Sequence, residues 1–216
     1  MSKVVASFSG GKDSTYALYE ALKEGLNVTH LLFIKTGGKA HLDNKWLLKL
    51  ASEAVDIPLF TVNKELPAIR KALQKLEAER LVSGVMTTPE HMAWYEEVCG
   101  PIQVKHYAPL WGKDPLVALN EMKQLGFHML VIEVNMTLGS NKNWLGKEID
   151  DDILNELKEL KSKQQINPIG EWGEYHTLVL DCPIYMKRIN ILKSENTWRK
   201  SKGYVKIKKA ELQPKT

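Results

Sequence analysis

Cysteine and arginine are scarce in this 216-residue chain, which has two cysteines and four arginines beside 26 lysines. Cys99 and Cys182 lie far apart and in no CxxC pair, which excludes a disulfide framework and a zinc ribbon. No apolar run approaches the ~18 residues that a membrane span needs. Met1–Ala6 leads directly into a strand-like segment without a signal-peptide pattern, so the expected location is a reducing cytoplasm, away from membrane. None of the six histidines (30, 41, 91, 106, 128 and 176) stands in HxxxH or HExxH spacing, so ordinary polar roles are expected for them, except for His176, which falls in the motif over residues 170–183. There is no internal repeat and no low-complexity stretch.

The length suits one domain, or a main domain with a modest appendage. Such a chain buries roughly 70% of its unfolded surface without covalent staples. The net charge of +4 is unevenly placed: residues 187–216 carry ten basic and two acidic side chains, a local +8, and the remainder carries −4. A basic segment can face nucleic acid or an acidic protein. In Tyr204-Val205-Lys206-Ile207-Lys208, however, lysine alternates with apolar residues, as in a sheet edge protected by charge.

Strand-like and helix-like segments alternate through the first two-thirds. Strands are expected at Lys3–Phe8, Asn27–Ile34, Leu59–Val62, Leu81–Met86, Tyr107–Leu110 and His128–Val134. Helices are expected at Asp13–Lys23, Leu42–Val55, Glu65–Glu79, Glu90–Cys99 and Pro115–Leu125. This order predicts an α/β fold, a mostly parallel sheet with helices on both faces. After Asn135 the rhythm changes: a helix over Asp150–Lys161 precedes strands at His176–Asp181, Arg188–Lys193 and Gly203–Glu211. We read residues 1–135 as the main α/β domain and 136–216 as a smaller C-terminal α+β extension.

The first strand runs into Ser9-Gly10-Gly11-Lys12-Asp13-Ser14, and a helix follows at once. Glycine lets the backbone approach a ligand closely, and the first amides of a helix form an anion site. Ser9 and Ser14 add hydroxyls and Lys12 a point charge. Asp13 would repel a phosphate unless it holds a metal ion or orients a group, so Mg²⁺ is implied. The loop is not a Walker A motif, because Ala6 stands where that motif needs glycine and Asp13 where it needs Ser or Thr.

This loop resembles the SGGxDS loop of the PP-loop ATP pyrophosphatases, in the HUP-type, Rossmann-like adenine-nucleotide α-hydrolase superfamily. Gly170-Glu171-Trp172-Gly173-Glu174-Tyr175-His176-Thr177-Leu178-Val179-Leu180-Asp181-Cys182-Pro183 is similar to the signature of diphthine–ammonia ligases. Glu97-Val98-Cys99, Pro109-Leu110-Trp111-Gly112, Leu125-Gly126-Phe127 and Trp144-Leu145-Gly146 support it in order along nearly the whole chain. The resemblance implies ATP-dependent amidation of a carboxylate, diphthine on translation elongation factor 2. Ammonia would be the nucleophile, and AMP and pyrophosphate would be released.

Carried over residue by residue, Ser9, Gly10, Gly11, Lys12, Asp13 and Ser14 would hold ATP, with Ile34 counted in the nucleotide set and Asp13 as the Mg²⁺ ligand. Gly170, Glu171, Gly173, Glu174, His176 and Thr177 would receive the acceptor, residues 136–216 being the substrate side. Lys12, Asp13, Glu171, Glu174 and His176 would serve catalysis. No glutaminase-like domain is attached, so free ammonium is the simpler source.

Two segments depart from the family pattern. Ile34–His41 is shorter and lacks a Tyr-Met-x-His-Thr-like stretch, and Thr87–Met92 has no arginine pair. Another carboxylate acceptor therefore stays open. So do a tRNA-modifying enzyme, which the basic C-terminal region suits and the lack of zinc-binding cysteines disfavours, and a non-catalytic nucleotide-binding module. Cys99 reads as core. Cys182 adjoins the second motif, but sulfur-transfer relatives use paired or zinc-associated cysteines. Trp111 and Trp144 could wall a pocket or plug the core edge.

Overall fold

The computed structural model describes residues 2–35 and 39–215. Expectations for the Ile34–His41 segment that concern residues 36–38 lie outside the described residues. The chain forms two compact units. The first comprises Met1–Ser9, Asp13–Gly37 and Asp56–Gly112; the second comprises Gly10–Lys12, Gly38–Val55 and Lys113–Thr216.

The first unit is built on five parallel strands, β1 (Val4–Ser7), β2 (Val28–Ile34), β3 (Leu59–Val62), β4 (Arg80–Val82) and β5 (Lys105–Tyr107), in the order β3-β2-β1-β4-β5. The first two strands have near-continuous buried runs, as parallel strands do when both faces are covered. Helices α1 (Lys12–Lys23), α4 (Leu66–Lys75) and α5 (Pro89–Cys99) alternate with them. Leu66, Ile69, Leu73 and Leu76 form the expected apolar face of α4, and Ile69, Leu73 and Val98 pack with Val5, Leu32 and Leu81. β1 pairs with both β2 and β4, so the strand order reverses beside it. In such sheets ligands bind at that reversal, beyond the carboxyl ends of the strands. The chain leaves β1 there and enters the Ser9–Ser14 loop.

The second unit holds an antiparallel sheet, β7 (Tyr175–Asp181), β6 (His128–Asn135), β9 (Lys202–Pro214) and β8 (Lys187–Arg199), in that spatial order. It also holds α2 (Lys39–Asp43), α3 (Leu47–Val55), α6 (Pro115–Gln124) and α7 (Asp151–Ser162). This architecture is the expected one, with one strand reassigned. β6 was counted with the parallel set, but it pairs antiparallel with β7 and β9. The compact unit that holds it combines Lys113–Thr216 with Gly10–Lys12 and Gly38–Val55. The misreading has a physical source, because seven successive buried residues make β6 resemble a parallel strand.

The helix expected over Leu42–Val55 is two helices. Between them the buried Asn44 side chain donates to Val205 O (2.8 Å) and accepts from Ile207 N (2.9 Å), acting as a strand partner for β9. β8 is the exposed edge, and Lys206 and Lys208 of β9 face solvent while Val205 and Ile207 are buried. The alternation is that of the expected half-buried strand, but β9 lies between β6 and β8, so its lysines do not mark the sheet edge. Among the described residues no helix is long and apolar enough to cross a membrane.

Candidate active site

α1 begins at Lys12, and Asp13 lies in its first turn. Ser9 N donates to Ser14 Oγ (3.2 Å), and the two hydroxyls are 3.2 Å apart, which closes the loop onto the helix start. Gly10 has φ +74°, where a side chain would be strained, and an added Cβ would lie 2.7 Å from Leu48 Cδ2. Gly10, Gly11 and Lys12 are buried, whereas Ser9, Asp13 and Ser14 are half-buried. Ile34 ends β2 with its side chain in the apolar cluster beside Val62 and Leu32, which leaves its main chain as what it could offer a nucleotide.

The second motif meets the loop directly. Val179 N donates to Gly10 O (2.8 Å), and Lys12 N donates to Thr177 Oγ1 (3.0 Å). The Lys12 side chain, 2% exposed, donates from Nζ to Ile169 O (2.5 Å) and lies 4.9 Å from the centroid of the Tyr175 ring. Gly10–Lys12, Thr177 and Val179 are thus one hydrogen-bonded assembly within the second unit.

The turn carrying the motif is shaped from inside by Glu174. Its carboxylate is 1% exposed and accepts from Asn167 N (2.9 Å) and Trp172 N (3.0 Å). Burial raises its pKa, opposed by the backbone amides and the Lys12 charge. Tyr175 Oη donates to Pro168 O (2.6 Å), and Gly170 turns at φ +72° against Tyr175. Of the residues expected to receive an acceptor, Thr177 is committed to Lys12 N, while Gly173 and Glu171 are half-buried. Trp172 is 67% exposed and projects from a turn whose amide is fixed.

His176 faces His41 at 5.1 Å, edge to face. Burial, then the charges of His41, Lys12 and Lys202, pushes its pKa down to about 3, so the ring is neutral at working pH. Glu133 of β6 stands opposite His176 of β7 and Tyr204 of β9. It is 4% exposed and accepts from Ala40 N (3.3 Å); burial raises its pKa against the pull of that amide, Lys202 and Lys39. The sequence reading missed Glu133, His41 and Asn167. A lone acid inside the apolar run Met129–Val134 was the available signal for the first.

The cysteines are inert by environment. Both are free and buried, and burial pushes the Cys99 thiol up to about 11 and that of Cys182 up to about 12. His30, His106 and His128 make ordinary contacts with Thr29, Ser83 and Glu148. Trp144, 1% exposed, is a core plug whose indole donates to Glu156 Oε2 (2.7 Å), whereas Trp111 is 45% exposed. Among the described residues no group of three or more His, Cys, Asp or Glu could hold a metal ion by itself.

Residues 2–106 match the family model described as the diphthamide synthase N-terminal domain, and residues 114–212 match that of the diphthamide synthase C-terminal domain. A diphthine–ammonia ligase of Schizosaccharomyces pombe is 29% identical over 250 aligned positions, covering 98% of this chain and 41% of that protein. The Danio rerio diphthine–ammonia ligase is 26% identical, covering 99% of this chain and 98% of its own length. The human protein of that name is also 26% identical, over 89% of this chain and 84% of its own.

Proposed function

The chain belongs to the diphthamide synthase family, and we propose that it is an ATP-dependent amide ligase. It would activate a carboxylate as its adenylate and transfer it to ammonia. The observation that carries this reading is the direct hydrogen bonding of Gly10 and Lys12 to Val179 and Thr177. A phosphate-binding loop tied to a conformationally fixed, partly exposed motif suits a reaction that joins a nucleotide to a second substrate.

The acceptor carboxylate oxygen attacks the α-phosphorus of ATP and pyrophosphate leaves. Ammonia then attacks the acyl carbon, the carbon–oxygen bond to phosphate breaks, and AMP departs. The loop amides around Gly10 and Gly11 and the hydroxyls of Ser9 and Ser14 stabilise the leaving charge. Asp13 and these hydroxyls are hard oxygen donors of the kind Mg²⁺ takes. A single carboxylate beside bound phosphates suits an ion that keeps several waters and needs no protein cage. When bound, Mg²⁺ would neutralise charge on the phosphates.

On the acceptor side, Trp172 offers an aromatic face to the quaternary ammonium of diphthine. Glu171, beside it, would attract that cation or take a proton from ammonium. The protein substrate would be translation elongation factor 2, in the cytoplasm, with nucleic acid not favoured. A different carboxylate acceptor is the second reading, favoured by the short Ile34–His41 segment and the arginine-free Thr87–Met92. The test is to incubate the protein with ATP, Mg²⁺ and ammonium, with and without diphthine-bearing factor, and resolve AMP from ADP. AMP and pyrophosphate only with the factor support the first reading, and AMP without it points to another acceptor. ADP or no turnover refutes both.

A further inference from the structure

We propose that Lys12 is a positioning residue for the acceptor turn and not a ligand of the ATP phosphates. This rests on the reading of Ser9–Ser14 as the nucleotide loop. In that loop a lysine is the obvious phosphate partner, and its placement here is different. The side chain is almost fully buried, its ammonium group hydrogen-bonds the carbonyl of Ile169, and it lies against the Tyr175 ring. The ammonium acts electrostatically on Glu174, whose carboxylate in turn holds the amides of Asn167 and Trp172. One cation and one anion, each at most 2% exposed, thus order the turn from Asn167 to Glu174 from within.

The backbone N–H of the same lysine donates to Thr177 of β7, so Lys12 ties the nucleotide loop to β7 through its backbone and to the acceptor turn through its side chain. To reach phosphate, Nζ would have to give up its hydrogen bond to Ile169 O and its place against the Tyr175 ring, and it would take its favourable charge away from the buried Glu174 carboxylate. The phosphates are left to the amides and hydroxyls of the loop. The turn presenting Trp172 is held in its binding geometry before any acceptor arrives.

The test compares Lys12→Met, Glu174→Gln and the double variant in binding of a hydrolysis-resistant ATP analogue with Mg²⁺ and in amide hydrogen exchange. A lysine that held phosphate would cost about 10- to 100-fold in nucleotide affinity, whereas a clasp changes it by less than about threefold. Exchange at Asn167, Ile169 and Trp172 should rise by at least about tenfold in both single variants, with α1 and β6 as protected as before. The double variant, which leaves no buried charge uncompensated but also lacks the clasp, should exchange faster than wild type and no faster than the faster single.

In turnover, the acceptor half-saturation of Lys12→Met should rise while that of ATP holds. Lost analogue binding with unchanged exchange in the turn would overturn the proposal, and so would wild-type exchange in the double variant. Neither binding nor exchange needs an acceptor or turnover. A wild-type protein that failed to make AMP would refute the ligase reading while these measurements still decided the role of Lys12.

Discussion

Gly84, which follows β4, offers no functional group, yet replacing it should damage the nucleotide loop. A Cβ added at Gly84 would stand 2.6 Å from the carbonyl carbon of Asp13, 2.7 Å from Asp13 O and 2.8 Å from Ser14 N. Ordinary contact begins near 3.4 Å, so the first turn of α1 must retreat by about 0.8 Å. The obstacle is main chain, so no rotamer change can relieve it. Overpacking of this kind costs ~1–3 kcal/mol, and a displacement near 1 Å at a reacting centre costs on the order of 100-fold in rate. Gly84→Ala should therefore lose ~1–3 kcal/mol in urea unfolding. It should also bind an ATP analogue at least about tenfold more weakly in calorimetry. Gly100→Ala is the control, because a Cβ there meets nothing within 4 Å. Wild-type stability and nucleotide affinity in Gly84→Ala would refute the reasoning.

Three further outcomes follow from the site. The depressed pKa of His176 contributes stability that is fully present above its ordinary 6.5 and is lost as pH falls toward about 3. That contribution is on the order of 4 kcal/mol. His176→Gln should flatten the acid limb of stability between pH 7 and 4. Raised carboxyls such as Glu133 and Glu174 change in the opposite sense, so the readout is the difference between variant and wild type. Trp172→Ala should leave stability within ~0.5 kcal/mol and raise the half-saturation of a quaternary-ammonium acceptor about 5- to 30-fold. Cys182 should resist iodoacetamide in the native protein and react after urea unfolding, as mass spectrometry of the digest would report.

The sequence was most informative where one local rule governed the outcome. Burial of successive residues in β1 and β2, the apolar face of α4 and the Gly10-Gly11 turn each follow from their own few residues. Strand direction does not, because the apolar run of β6 suits either orientation and its partners β7 and β9 lie about 40 and 70 positions away in the chain. Asn44 divides a continuous helical pattern because its amide finds β9, a contact that periodicity does not encode.

At the site, the motifs named Lys12, Glu174 and Thr177 without indicating that Lys12 would bond Thr177 and that Lys12 and Glu174 would each bond the turn. Residue type alone reads Lys12 as a phosphate ligand and Glu174 as an open carboxylate; the burial of both is what supports the positioning role proposed for Lys12. Glu133 is not singled out by the sequence and His41 draws only an ordinary polar role, because neither stands in a motif. Their significance comes from the register that sets Glu133 opposite His176 and from the edge-to-face packing of His41 on the same ring.

The central claim is that ATP is spent at its α-phosphorus to join a carboxylate to ammonia. The most direct measurement is intact-mass and peptide analysis of diphthine-bearing elongation factor 2 after incubation with the protein, ATP, Mg²⁺ and isotopically labelled ammonium. The account predicts conversion of the diphthine carboxylate to an amide carrying the label, one AMP formed for each amide. An unlabelled, unchanged acceptor alongside ATP consumption would contradict it, as would ADP as the nucleotide product.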